Sequence, residues 1–160
     1  MKALKLREGI YWVGVIDWDL RNFHGYLTQR GSTYNAYLII DEKITLIDNV
    51  KSYLFEELIA RISDIIDPSQ IDILIQNHVE MDHSGGLPKT LELLPNATLY
   101  TNAAGIKGLK LHYKKDWNFA EIKSGDTLKL GKRSLTFLTT PMVHWPDKMG
   151  AYCPEKKLLY

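Results

Sequence analysis

Between Asn77 and Gly86 the chain reads NHVEMDHSGG, which places two imidazoles and two carboxylates, His78, Glu80, Asp82 and His83, within six positions. His78, Glu80 and Asp82 occupy alternate positions, so an extended or looping segment projects them to one side, while His83 points elsewhere. Two directions suit two metal ions. Imidazole mixed with carboxylate suits iron, manganese or zinc, and the absence of thiolates from the stretch argues against a structural zinc site. One carboxylate could bridge two ions about 3.5–4 Å apart, a recurrent catalytic arrangement. Gly85 and Gly86 would let the backbone turn sharply behind the ligands and start the next helix. Any one such residue is ordinarily a solvated loop side chain. Four in six positions, directly after a buried strand, point to metal binding instead.

That strand is IDILI (71–75), apolar on consecutive residues as expected of a strand covered on both faces, and the cluster follows its C-terminal end. Open α/β sheets hold their sites at this place. Upstream, IYWVGVIDW and TYNAYLIIDEKITLIDNV are rich in β-branched and aromatic residues, and Asp41-Glu42-Lys43 breaks the second into a hairpin. Over 52–66, Leu54, Phe55, Leu58, Ile59, Ile62, Ile65 and Ile66 recur at helical spacing, and Asp67-Pro68 ends the helix. GLPKTLELL and AAGIKGLKLHY read as helices flanking the strand ATLYT. TLKLGKRSLTFLTTP reads as two strands turning at Gly131-Lys132, and GAYCPEKKLLY as a last hairpin. The order predicts a mixed α/β layered domain, with His112 on the surface and without a role.

Composition narrows the partners. A chain of 160 residues with 45% hydrophobic content is long and apolar enough to bury one core. Twenty Lys and Arg balance nineteen Asp and Glu with no basic run, which argues against nucleic acid. No signal peptide or membrane-spanning run is apparent, so a cytosolic protein is expected. The single cysteine, Cys153, excludes an internal disulfide and reads as a small core hydrophobe.

HVEMDH resembles the metal motif of the metallo-β-lactamase fold, His-x-His-x-Asp-His, with Glu80 in place of the second His. That substitution marks the flavodiiron proteins, which reduce oxygen or nitric oxide at a non-haem diiron centre. GVIDWDLRNFHGY (14–26), TYNAYLI (33–39) and MVHWPDKM (142–149) resemble the same family, with His144 at the family's spacing from Asp82. The resemblance implies an αββα sandwich in which His78, Glu80 and His144 ligate one iron, Asp82 bridges, and His83 lies near or on the other. It implies Asp48 as an acid buttressing the metal loop, unless it only forms a turn before Asn49. His24 and Tyr26 match a stretch near the family's pocket. Trp145 would shield the metal from water or serve as a core aromatic. A harder, more anionic set with Glu80 favours ferric iron over zinc and redox chemistry over hydrolysis.

The same resemblance implies partners beyond these residues. The family's further Asp ligand, near position 163, and a later His are missing, as is the flavodoxin-like domain whose FMN feeds the irons. The 160 residues are therefore expected to be the N-terminal portion of a metallo-β-lactamase-like domain. Alone they should be inactive, with apolar faces around 134–139 and at KKLLY left open. The intact protein is expected to be a head-to-tail homodimer or tetramer that takes electrons from a donor such as rubredoxin or another reductase. A zinc hydrolase, or an inactive fragment, is the alternative.

Overall fold

The computed structural model describes residues 1–160. Fifteen strands are present: β1 (Leu4–Arg7), β2 (Ile10–Trp12), β3 (Val15–Asp17), β4 (Asn22–Phe23), β5 (Tyr26–Leu27), β6 (Ser32–Tyr34), β7 (Tyr37–Ile39), β8 (Thr45–Ile47), β9 (Ile73–Ile75), β10 (Thr98–Thr101), β11 (Phe119–Glu121), β12 (Thr127–Lys129), β13 (Ser134–Thr139), β14 (Met149–Cys153) and β15 (Leu158–Leu159). Four α-helices join them: α1 (Phe55–Ser63), α2 (Met81–Ser84), α3 (Leu87–Leu93) and α4 (Ala103–Tyr113). A seven-stranded sheet runs β1-β2-β7-β8-β9-β10-β11, and a four-stranded sheet runs β12-β13-β14-β15.

The two-residue period lets the same strands build both cores from alternate residues. Leu38, Leu46, Leu74 and Leu99 point to the helices, where they meet Leu58 and Ile62 of α1, Leu87 of α3 and Leu109 of α4. Their neighbours Ile39, Ile47, Ile73 and Ile75 point the other way, against Leu135, Phe137, Met149, Ala151 and Cys153 of the second sheet. The layers are therefore helix, sheet, sheet. Each fully buried aliphatic side chain contributes about 1.5–3 kcal/mol. Cys153 is a buried core residue, as its apolar setting predicts.

β8, β9, β10 and β11 are mutually parallel, so each connection must cross over, and α1, the α2–α3 segment and α4 make the crossings. The C-terminal ends of β8, β9 and β10 therefore open on one edge. The 140–148 loop, between β13 and β14 of the second sheet, reaches the same edge: the Met149 N–H donates to the Asn77 carbonyl at 3.1 Å.

Some expectations change. The regular helix stops at Ser63, leaving Ile65 and Ile66 in the following turns. β1, the β4–β5 ribbon and β11 carry no strong alternation and escape sequence reading. The inner face of 134–139 is not open, because Leu135 and Phe137 are fully buried against the large sheet. Leu138 and Leu159 remain exposed. No helix is long and apolar enough to cross a membrane.

Candidate metal centre

β9 ends at Ile75, the chain bends at Asn77, and Glu80, with φ −59° and ψ 148°, directly precedes α2. The alternate-position reading therefore holds for His78 and Glu80 only. Asp82 and His83 lie on the helical turn, because the Glu80 carbonyl accepts from the N–H groups of both His83 and Ser84, each at 2.8 Å. Glu80 is the N-cap residue of α2, yet its side chain makes no capping bond. Its carboxylate is free to face the site.

Gly85 and Gly86 act by close approach rather than by unusual dihedrals, since both have right-handed helical φ/ψ. A Cβ on Gly86 would stand 2.4 Å from Asn49 Oδ1, and one on Gly85 would stand 2.5 Å from the Met81 carbonyl oxygen. The glycines let the α2–α3 segment lie on the 49–52 stretch that follows β8.

Three ligand-type side chains converge. Single ligand atoms of His78, Glu80 and His144 all lie within 4.8 Å of one another. Glu80 Oε2 is 3.2 Å from His78 Nε2 and 3.5 Å from His144 Nε2. Donor atoms each about 2.1 Å from one ion stand roughly 3–3.5 Å apart, so these separations suit a shared cation. His78 is buried and Glu80 mostly so, while His144 is half exposed on its loop.

Asp82 and His83 form a second group beside the first. The His78 and His83 rings are 5.2 Å apart. His83 Nε2 lies 3.7 Å from Asp82 Oδ2, and His83 Nδ1 lies 3.8 Å from Asp48 Oδ2. Burial would push the His83 imidazole down, but Asp48 and Asp82 outweigh it and raise it above its ordinary value. Asp82 Oδ1 is buried without any partner, as expected of an oxygen built to face a cation. Asp48, with φ +60°, accepts from the Asn77 N–H at 2.9 Å, the Asn77 amide at 3.0 Å and the Gln76 amide at 3.2 Å. These bonds hold a sparsely populated backbone conformation in place.

His24 reaches the site from the β4–β5 ribbon. Phe23 pairs with Tyr26, so His24 and Gly25 are its two-residue turn, and both have positive φ, +51° and +81°. Such a turn needs residues that tolerate this region, as glycine does and histidine does more than most. His24 Nε2 lies 3.4 Å from Glu80 Oε1 at the ribbon tip. Tyr26, two residues after His24, is 75% exposed and is not brought to the ligands. Trp145 stands with its ring 5.3 Å from that of His78, nearly perpendicular to it and 40% exposed, so it covers the site from the rim rather than from the core.

One residue read as having no role lies beside the site, and another escaped the sequence reading. His112 is exposed, as expected, yet with Val79, Glu80, Met81, Leu111 and Trp145 it lines a mostly apolar cleft of about 580 Å³ beside the ligands. Asp147 is almost fully buried, and its Oδ2 accepts from the Val79 N–H and lies 2.8 Å from His78 Nδ1. Burial would raise its carboxyl, but the bonds from His78 and the Val79 N–H outweigh this and hold it below the carboxylate range. Its place in HWPD beside His144 was a signal, but its contact with His78 spans 69 positions and needs the fold.

Comparison with known proteins agrees with this geometry. The ODP family beta lactamase model matches residues 33–160. A nitric oxide reductase of Moorella thermoacetica is 48% identical over 99% of this chain and 40% of its own length. The structure of rubredoxin oxygen:oxidoreductase from Desulfovibrio gigas aligns with a TM-score of 0.95 at 45% identity, covering 99% of this chain and 40% of that one. The flavodiiron protein of Giardia intestinalis gives 0.95 at 38% identity, over 100% and 39%. The chain thus spans about 40% of the length of these relatives. The match to the family model covers most of the chain, β9 and the 140–148 loop included, and the chain therefore belongs to the ODP beta-lactamase family, corresponding to the N-terminal β-lactamase-like part of flavodiiron proteins.

Proposed function

We propose that this chain is the metal-binding portion of a flavodiiron oxidoreductase that reduces dioxygen to water, nitric oxide to nitrous oxide, or both. The observation that carries the reading is the position of Glu80 between His78 and His144, with a carboxylate where the hydrolases of this fold place an imidazole. Carboxylate-rich sets favour iron and its higher oxidation state. His78, Glu80 and His144 would hold one iron, and Asp82 and His83 would serve the second. In the proposed enzyme, further ligands would complete the pair, and a flavodoxin-like domain holding FMN would feed it electrons.

Two irons, when bound, supply electrons to a diatomic substrate. The chain's own residues prepare the place. Gln76 donates to the carbonyls of His78 at 2.7 Å and His83 at 2.8 Å, which ties the ligand loop together. Asp48 holds His83, and Trp145 covers the His78 ring from solvent. His24, half exposed and 3.4 Å from Glu80, is placed to deliver protons from water. The apolar cleft beside Glu80 admits a small neutral gas without a desolvation penalty.

In the cytosol the intact protein would receive electrons from a rubredoxin-type donor and work as a head-to-tail homodimer or tetramer. That arrangement would bring the FMN of one subunit to the residues that hold the irons in the other. The test is to express the full-length protein with iron and zinc both supplied. About two irons per chain and turnover of oxygen or nitric oxide are expected. Stoichiometric zinc without iron would overturn the assignment.

A further inference from the structure

We propose that Asp147 is a positioning residue that aligns two of the three converging ligands: it sets which ring nitrogen of His78 faces the metal, and it seats the loop that carries His144. The proposal rests on the metal-centre reading above, and it starts from a single oxygen. Asp147 Oδ2 accepts from the Val79 N–H at 2.8 Å and lies 2.8 Å from His78 Nδ1. An ionised carboxylate only accepts, so the hydrogen that Asp147 shares with His78 sits on Nδ1. Nε2 is then left with its lone pair, and it is Nε2 that faces Glu80 Oε2 at 3.2 Å. The partner of one ring nitrogen decides what the other can do.

The second half of the proposal concerns the loop. Asp147 lies three residues after His144, on the 140–148 connection between β13 and β14. Its carboxylate is bound to the ligand loop after β9, while its carbonyl accepts from the Asn102 amide at 2.7 Å. Asn102 is itself fixed, because its Oδ1 caps α4 by accepting from the Gly105 N–H at 2.9 Å. The His144 loop is thereby clamped between the ends of β9 and β10. His144 has few restraints of its own, being half exposed, so its arrival opposite Glu80 depends on this clamp. Shape alone does not require a carboxylate here. An ionised side chain, buried and aimed at the far nitrogen of a ligand imidazole, does more than hold a loop, since it also makes that imidazole a stronger donor.

The experiment uses full-length protein loaded with zinc(II), a diamagnetic probe that occupies the site whether or not iron is native to it. In 15N-histidine NMR, His78 is expected to coordinate through Nε2 and to show a slowly exchanging Nδ1–H. Asp147→Ala should remove that protected proton and weaken zinc binding about 10–100-fold, the range for lost outer-sphere partners. Asp147→Asn keeps an acceptor oxygen, so it should retain the Nδ1–H and bind zinc more tightly than the alanine variant. Coordination of wild-type His78 through Nδ1 would overturn the proposal without recourse to any variant. So would an alanine variant with unchanged zinc affinity and an unchanged His78 signal. If the His78 signature follows Asp147 but the native protein contains no iron, the diiron reading fails and the positioning role stands.

Discussion

Glu80 reaches the site because it is the last extended residue before α2 and because its carboxylate is not spent on capping that helix. Oxygen in this place makes the set harder than two or three imidazoles would, which is the chemical difference between an iron site and a zinc site. Glu80→His should therefore change the metal rather than the fold. If the proposed function holds, full-length protein carrying the variant is expected to purify with zinc in place of iron and to lose oxygen and nitric oxide turnover by at least about a hundredfold, beyond what outer-sphere changes produce. Elemental analysis with gas-consumption assays reads both, and retained turnover at an iron-filled site would count against the assignment. His24 and Tyr26 show how finely the backbone sorts neighbours. The ribbon turn carries His24 to Glu80 and leaves Tyr26 in solvent.

At the scale of elements, the two sheets are tied together away from the candidate metal centre by Arg133 and Asp41. The guanidinium, just before β13, binds Asp41 at 2.9 Å in the β7–β8 turn and also donates to the carbonyls of Ile40 and Glu8. Burial would raise the Asp41 carboxyl, but the N–H groups of Lys132 and Glu42 and the Arg133 charge outweigh it and lower it below its ordinary value. A lowered folded value stabilises the fold above the unfolded carboxylate value of about 3.9, and the gain is lost as pH falls through the lower folded value. Asp41→Asn should thus cost about 2 kcal/mol at neutral pH, since it removes the charge that strengthens the hydrogen bonds from Arg133, Lys132 and Glu42. The difference from wild type should shrink toward zero as the pH approaches 2. Urea midpoints measured across that range check both the size and the direction, and a pH-independent difference would show that the charge is not what matters.

At the scale of the molecule, one large sheet serves two cores, and the second core holds up the His144 loop. Phe137 of β13 is fully buried among Ile39, Ile47, Ile75 and Ala151, near the strand end from which that loop departs. Phe137→Ala should cost about 3–5 kcal/mol. At about 2–4 °C per kcal/mol for a chain of this size, the melting temperature should fall by roughly 10 °C. Because Glu80, Asp82 and His83 depend on β9 and α2, metal binding at the proposed centre, measured at low temperature, should weaken mainly through His144. Thermal denaturation and iron titration of the same sample test the two effects, and an unchanged melting temperature would mean that the second core is not a structural support.

The sequence by itself determined the elements whose signals are periodic and local. The leucine and isoleucine alternation through 38–39, 46–47 and 74–75, the stripe of α1 and the crowding of His78, Glu80, Asp82 and His83 are all short-range facts. A strand's two faces and a helix's one face follow from them directly. The same locality explains what stayed hidden. The helical turn at 81–84 comes from two backbone bonds to the Glu80 carbonyl within a stretch whose side chains also suit an extended run. The need for glycine at 86 comes from Asn49, which is far away in the chain. Asp147 looked like one acid in a loop, and only the packing of the second sheet on the first carries it across 69 positions to His78. Tertiary structure decided these matters because a hydrogen bond is made over about 3 Å of space, whatever length of chain separates its two ends.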